Sequence, residues 1–176
     1  MVLAIGVVGW HNAGKTRFIE GLLRALKRRG LRVATIKHAH GAVEVDHPGT
    51  DTWRFAQAGS DLVIIAGENL LAWMERPTQA PTLDDLLARL PADVQVAIVE
   101  GYKQSALPKF EVLREGAGDE RIAPPEQLLA FVAEGTIAHS PGVPCIAPDD
   151  AEGAIAILIA KGLLPNAEGN LGTHSP

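Results

Sequence analysis

The feature that most constrains this chain is the octapeptide Gly-Trp-His-Asn-Ala-Gly-Lys-Thr at residues 9–16, directly after the apolar run from Val2 to Val8. It fits the pattern G-x-x-x-x-G-K-[ST], in which a buried strand leads into a tight loop and a helix begins at its end. The backbone N–H groups of such a loop and the positive end of the helix dipole point to one place. The pattern therefore predicts a strand–loop–helix unit that binds a multiply charged phosphate group.

The residue types in this loop suit a nucleoside triphosphate. Lys15 is expected to reach the terminal phosphates, and Thr16 to offer its hydroxyl to Mg²⁺. Backbone amides from residues 12–16 would line the phosphate site. The candidate nucleotide contacts here are Gly9, Asn12, Ala13, Gly14, Lys15, Thr16 and Arg17.

A second element of the same chemistry is the run Val96 to Val99, which is apolar and is followed by Glu100. A buried strand that ends in an acid delivers one carboxylate beside the phosphates, where it holds the coordination shell of Mg²⁺. Such strands also arise by chance, so this prediction depends on the pairing with the phosphate loop. Lys15 and Glu100 are the candidate catalytic residues, and Thr16 and Glu100 are candidate Mg²⁺ ligands.

The loop after the predicted second strand carries further polar candidates. Lys37, His38 and His40 are candidate contacts to the nucleotide or to a second ligand. Asp46 is the third candidate Mg²⁺ ligand, because nucleotide-binding domains keep a switch acid in a loop at this place. A transition-metal site remains open as an alternative, although His-x-His with a distant third histidine is not a recognised zinc spacing.

Composition and charge narrow the class of protein. The net charge of −5 is distributed unevenly along the chain, with +7 on residues 1–40 and −12 on the rest. The positive first part of the chain suits an anionic ligand. Aromatic residues do not interleave with these charges, so no nucleic acid partner is expected. No apolar run approaches the roughly 18 to 20 residues of a membrane span, and no signal segment is visible, so a cytoplasmic protein without a membrane partner is expected.

The elements alternate between strand and helix, which predicts an α/β fold with a mostly parallel sheet and helices on both faces. A β-hairpin is predicted at 61–66 and 70–74, a helix capped by Thr50, and a capping box at Thr82–Asp85. Further predicted elements are an edge strand at 109–113, strands at 128–132 and 143–147, the last of these burying the single Cys145, and a helix at 151–160. Residues 1–162 are expected to form one nucleotide-binding domain, and 163–176 a flexible tail. Loops 133–135 and 147–150 follow late strands, where the base of a nucleotide would lie.

Several segments resemble, in order, those of the molybdopterin-guanine dinucleotide biosynthesis protein B (MobB) family. Besides the phosphate loop they are TIKHAH at 35–40, DHPGTD at 46–51, AGSD at 58–61, VEGYK at 99–103 and VLREGAG at 112–118. Their joint occurrence is far more specific than the phosphate loop alone.

This resemblance implies a P-loop NTPase-like three-layer fold, a homodimer, and binding of GTP with Mg²⁺. It also implies a weak GTPase that acts as an adapter to a MobA-type guanylyltransferase, which attaches GMP to molybdopterin, with molybdopterin as a second ligand. The chain lacks an Asn-Lys-x-Asp segment. The prediction of GTP therefore depends on the resemblance, whereas the residues themselves predict only a nucleoside triphosphate.

Two other functions stay open at this point. One is a small-molecule kinase, in which Arg114 and Arg121 clamp phosphate during transfer. The other is a GTP-dependent metallochaperone that uses His38, His40 and His47. Transfer of phosphate to water or to an added acceptor separates GTPase from kinase, and metal analysis of the purified protein tests the metallochaperone.

Overall fold

A computed structural model of the chain describes residues 2–39, 41–114, 121–135 and 142–166. The strands in these ranges are β1 (Leu3–Gly9), β2 (Val33–Lys37), β3 (Leu62–Ala66), β4 (Leu71–Glu75), β5 (Val96–Glu100), β6 (Lys109–Val112), β7 (Leu128–Val132) and β8 (Cys145–Ile146). The helices are α1 (Lys15–Arg28), α2 (Asp51–Gln57), α3 (Leu83–Ala88) and α4 (Ala151–Ala160). The chain divides into two compact units, a larger one of Met1–His38 with Leu87–Pro176 and a smaller one of Ala39–Leu86. The predicted single domain of residues 1–162 stays a prediction.

The larger unit contains a six-stranded sheet in the order β2-β5-β1-β6-β7-β8, and all of its described pairings are parallel. Glu100 lies opposite both Val7 of β1 and Lys37 of β2. The carboxyl ends of these three strands therefore meet at one edge of the sheet. The predicted α/β, P-loop NTPase-like fold is confirmed.

Two helices cover one face of this sheet and pack against each other. The buried residues of α1 are those of its predicted apolar stripe, and the ring centre of Phe18 lies 5.3 Å from that of Phe110 in an edge-to-face contact. On the outer side of the helix pair, Glu152 of α4 accepts hydrogen bonds from Arg28 at 2.8 Å and Arg29 at 2.7 Å. Apart from the rings of Phe18 and Phe110, the buried residues of the core cluster are aliphatic, in line with the 5% aromatic content.

The prediction that residues 109–113 form an edge strand is wrong, because β6 lies between β1 and β7. Polar and apolar residues do alternate along β6, but its two polar side chains, Lys109 and Glu111, are buried. Lys109 donates hydrogen bonds to the carbonyl oxygens of Ser105 and Leu107 and to the side chain of Gln127. Glu111 accepts the backbone N–H groups of Ile122 at 2.9 Å and Ala123 at 3.1 Å. Buried polar groups with such partners are tolerated in an interior strand.

The far end of the chain corrects one further expectation. Cys145 is exposed rather than buried, because β8 is only two residues long and is the last strand of the sheet order. Leu164 is buried in the core, and the flexible tail of residues 163–176 stays a prediction. Residues 167–176 of that predicted tail lie outside the described residues.

The smaller unit contains the predicted β-hairpin, formed by antiparallel β3 and β4. The N–H of Gly67 donates to the carbonyl of Leu70 at 2.8 Å and closes its turn. Thr50 caps α2 by accepting the N–H of Trp53 at 3.2 Å, and Thr82 and Asp85 form the predicted capping box before α3. Across the described residues of both units, no helix has the length and apolar character that a membrane crossing requires.

Candidate functional site

The loop between β1 and α1 is shaped by its two glycines. A Cβ atom on Gly9 would lie 2.5 Å from the carbonyl oxygen of Val112, so only glycine lets β1 pass β6 this closely. Gly14, directly before α1, has φ 95° and ψ 14°, a left-handed conformation that glycine adopts at little cost. The motif therefore requires glycine at residue 9 because of a close approach between strands, and at residue 14 because of a left-handed backbone conformation.

Lys15 lies in this loop with its ammonium group turned toward the loop's own backbone. Its Nζ donates to the carbonyl oxygens of Trp10 at 2.9 Å and Gly9 at 3.2 Å. Burial lowers the pKa of Lys15; Glu100 opposes that shift, whereas Lys103 and Lys37 add to it. The lysine therefore shares its surroundings with one carboxylate and two further cations, and a phosphate anion would relieve that repulsion.

The carboxylate and the second cation come from neighbouring strands. Lys37 Nζ lies 3.6 Å from Glu100 Oε2, and the Glu100 side chain is only 15% exposed. Both residues line a cavity of about 340 Å³ at the carboxyl ends of β1, β2 and β5. The cavity is lined by His11, Asn12, Ala13, Gly14, Lys15, Thr16, Lys37 and Glu100.

This cavity brings together most of the residues that the sequence predicted for triphosphate and Mg²⁺. A hydroxyl from Thr16 and a carboxylate from Glu100 face one space, and hard oxygen donors of this kind are the ligands that Mg²⁺ prefers. The donor set therefore fits a magnesium ion bound together with phosphate. The larger unit alone supplies all of these groups.

Asp46 belongs to the smaller unit, where it organises its own loop. Its Oδ1 accepts the N–H of His47 at 2.8 Å and the hydroxyl of Thr50 at 2.9 Å. Hydrogen bonds from Thr52, His47 and Thr50 lower the pKa of Asp46, which stays ionised at neutral pH. Its role as a Mg²⁺ ligand stays a prediction.

The predicted histidine segment is described only in part. The His38 ring stacks on that of Tyr102, with ring centres 4.4 Å apart, and the backbone N–H of His38 donates to the backbone carbonyl of Glu100 at 2.9 Å. His40 lies outside the described residues. Within the described ranges, no group of three or more His, Cys, Asp or Glu side chains is placed to hold a metal ion.

Sequence reasoning missed three residues at this site, Trp10 and His11 within the β1–α1 loop and Lys103 after β5. His11 lines the cavity, and Lys103 Nζ lies 4.6 Å from the ring centre of Trp10 in a cation–π contact. The available signal for Lys103 was the VEGYK segment, which begins on β5 and carries the lysine three residues past Glu100.

A second cavity, of about 450 Å³, shares Asn12, Ala13 and Gly14 with the first. Its other lining residues are Arg17, Leu113, Arg114, Glu134 and Pro148. Arg17, a predicted nucleotide contact, lies 3.4 Å from Glu134 and 3.9 Å from Asp149 in ion pairs. The two loops predicted to lie near a base thus each contribute one residue to this cavity.

A parallel α/β sheet with this glycine–lysine–threonine loop at the carboxyl end of β1 defines a P-loop NTPase-like protein. A family model described as "Molybdopterin guanine dinucleotide synthesis protein B" matches residues 4–134. The chain therefore belongs to the MobB family.

Individual relatives agree with this assignment. A Haemophilus influenzae protein named "Molybdopterin-guanine dinucleotide biosynthesis adapter protein" is 36% identical over 112 residues, a stretch that spans 63% of this chain and 63% of that protein. An Escherichia coli protein of the same name is 32% identical over 132 residues, or 73% of each chain. The crystal structure of Bacillus subtilis MobB has a TM-score of 0.68 and 25% identity, and the alignment covers 93% of this chain and 98% of that one.

Proposed function

We propose that this protein binds GTP with Mg²⁺ in the cavity beside the β1–α1 loop and acts as an adapter in the synthesis of molybdopterin guanine dinucleotide. The observation that carries the nucleotide part is the convergence of Lys15, Thr16 and Glu100 on one cavity. The adapter role is taken from the names of the relatives. The cytoplasm is the compartment proposed for it.

In the proposed complex the backbone N–H groups of residues 12–16 and the start of α1 receive the phosphates. Lys15 leaves the carbonyl groups of Gly9 and Trp10 and pairs with the terminal phosphates. Thr16 and Glu100 hold the magnesium ion, whose bound charge offsets that of the phosphates. Lys37 stays next to Glu100 and adds positive charge at the open side of the cavity, since its side chain is 66% exposed.

The proposed partners are a MobA-type guanylyltransferase and a second copy of this chain, with molybdopterin as the second ligand. The described residues support the second copy best. One face of the hairpin presents Leu62, Ile64, Leu71 and Trp73, which are 40, 46, 58 and 62% exposed. An exposed apolar face of this kind marks an interaction surface.

Thermal unfolding with Mg-GTP and with Mg-ATP tests the nucleotide proposal. A ligand at 100 times its dissociation constant adds about 2.7 kcal/mol to the free energy of unfolding. We expect stabilisation by Mg-GTP that is lost in Lys15→Ala and kept in Lys27→Ala, a lysine of the same helix whose Nζ donates to the carbonyl of Leu31 instead. Undiminished GTP affinity in a folded Lys15→Ala protein would contradict the proposal, and equal shifts with ATP would remove its guanine part.

A further inference from the structure

The second cavity continues from the first along the phosphate loop. Both are lined by residues 12–14, so a ligand whose phosphates occupy the first can extend into the second. A nucleoside attached to a triphosphate has this elongated form. The volume of about 450 Å³ lies within the range of pockets that bind small organic ligands, roughly 300 to 1,000 Å³.

The position of this cavity in the sheet is that of a ligand site. Leu113 and Arg114 follow β6 directly, Glu134 lies two residues after β7, and Pro148 lies two residues after β8. These loops lie at the carboxyl ends of parallel strands, where open α/β sheets bind their ligands.

The lining residues suit a flat, polar, uncharged ring. Leu113, Pro148 and Ala13 provide apolar surface, and Arg17 and Arg114 provide guanidinium groups, which stack well on nucleic acid bases. Glu134 offsets part of the positive charge of the two arginines and adds a hydrogen-bond acceptor for a ring that carries N–H donors.

Glu134 is held weakly and is open to an incoming ligand. Its Oε1 lies 3.4 Å from Arg17 Nη1, longer than the roughly 2.7 to 2.9 Å of a strong charge-assisted bond. The Glu134 side chain is 79% exposed. Arg17 also contacts Asp149, so the arginine can keep one carboxylate partner while Glu134 accepts hydrogen bonds from a ligand.

A carboxylate at this place distinguishes purines by their hydrogen-bonding edge. Guanine presents two adjacent donors, the N1–H and the 2-amino group, and both can be accepted by one carboxylate. Adenine presents a lone pair at N1, which a carboxylate repels. A carboxylate that accepts both donors therefore favours guanine over adenine.

We infer that this second cavity holds the base of the bound nucleotide and that Glu134 reads guanine through its N1–H and 2-amino group. This assignment rests on the proposed binding of a triphosphate at Lys15, and it supplies the guanine contact for which the chain has no Asn-Lys-x-Asp segment.

The test is the change in base preference of Glu134→Gln, measured as dissociation constants for Mg-GTP, Mg-XTP and Mg-ATP. Xanthine has a carbonyl where guanine has the 2-amino group, and a glutamine amide can accept from N1–H and donate to that carbonyl. We expect the substitution to weaken GTP binding roughly 10- to 100-fold and to strengthen XTP binding, with ATP binding unchanged. Asp149→Asn is the matched control, because it removes the other acid beside Arg17 but does not line the cavity.

The possible results separate this inference from the proposed function. A Glu134→Gln protein that is folded and keeps the parent's ratio of GTP to XTP affinity, while GTP binding still requires Lys15, overturns the base assignment alone. An equal change of that ratio in Asp149→Asn also overturns it. A parent protein that does not bind Mg-GTP overturns both the proposed function and this inference.

Discussion

Lys37 and Glu100 lie directly opposite each other in the parallel pairing of β2 with β5, with 3.6 Å between Lys37 Nζ and Glu100 Oε2. The glutamate is shielded and the lysine is mostly exposed. The pair therefore places a carboxylate and an ammonium group side by side at the carboxyl ends of two neighbouring strands. This arrangement leads to the first of five predictions.

We expect Glu100→Gln to keep most of the nucleotide affinity but to lose Mg²⁺-dependent GTP hydrolysis, by at least about tenfold in single-turnover rate. The amide has nearly the same shape, yet it binds the metal far more weakly than a carboxylate. Glu20→Gln is the control, since Glu20 lies on α1 and pairs with Arg24 of the same helix. Hydrolysis at the parent rate in Glu100→Gln would mean that Glu100 is only the last residue of a strand.

We expect the isolated protein to hydrolyse GTP slowly. Fast hydrolysis requires a residue that orients water and usually an arginine, and supplying the arginine alone is worth roughly 10³ to 10⁵ in rate. Glutamine first occurs four residues after Glu100, and Arg114 lines the second cavity rather than the first. Single-turnover hydrolysis should be measured alone and with the guanylyltransferase and molybdopterin added. Many turnovers per second by the protein alone would contradict the adapter role.

We expect Gly6→Ala to lower the free energy of unfolding by about 1 to 3 kcal/mol. Gly6 pairs with Lys109, and a Cβ at residue 6 would lie 2.8 Å from Lys109 Cγ, inside a stem that is fully buried. Gly21→Ala is the matched control, because its Cβ would lie 3.6 Å from that of Ala151 in ordinary contact. Gly21 is inside α1, so that substitution should be neutral or stabilising. Equal stability changes in the two variants, measured by urea unfolding, would contradict the packing argument.

We expect part of the acid sensitivity of the fold to come from Glu152. Hydrogen bonds from Arg29 and Arg28 lower its pKa from 4.5 to about 2. Because the folded-state pKa lies below the unfolded value, this stabilisation is complete above about pH 4.5 and is lost as the pH falls toward 2. Urea unfolding between pH 6 and pH 2.5 should show a shallower decline in Glu152→Gln than in the parent. A parallel decline in both proteins would show that the bridge between α1 and α4 contributes nothing.

We expect Trp73→Ser combined with Ile64→Ser to reduce self-association. The two side chains are cross-strand partners on the exposed face of the hairpin. Light scattering coupled to size-exclusion chromatography should report a dimer for the parent and a smaller species for the variant. Arg76→Ser, just after β4, is the control, because it removes a charge but leaves the exposed apolar side chains of the hairpin in place. Val63→Ser is unsuitable as a control because Val63 is buried. A parent that is monomeric throughout would contradict the homodimer.

Several features could be predicted from short stretches of sequence because their causes are local. The phosphate loop needs glycine where its backbone is left-handed, and the cap at Thr50 and the capping box at Thr82 depend on residues three positions apart. The apolar spacing of α1 likewise predicts its buried face, since helical period alone decides it. Candidate residues of the first cavity followed from the same signals.

Other features depend on which strands become neighbours. The polar–apolar alternation of β6 is typical of an edge strand, yet β6 is an interior strand. Its buried Lys109 and Glu111 have hydrogen-bond partners outside the strand, among them Gln127 and the backbone N–H of Ile122. Lys103 reaches Trp10 only because β5 pairs with β1, and Arg17 meets Glu134 across 117 residues of chain.

The sequence by itself determined the β1–α1 loop, the first helix and the hairpin, since each depends on backbone conformation and side-chain type within a few residues. The order of the sheet, the exposure of Cys145, the pairing of Lys37 with Glu100 and the composition of the second cavity were decided only in the tertiary structure. These depend on strand pairing between distant segments, whose free energy comes from packing and hydrogen-bond satisfaction over the whole sheet rather than from any local pattern.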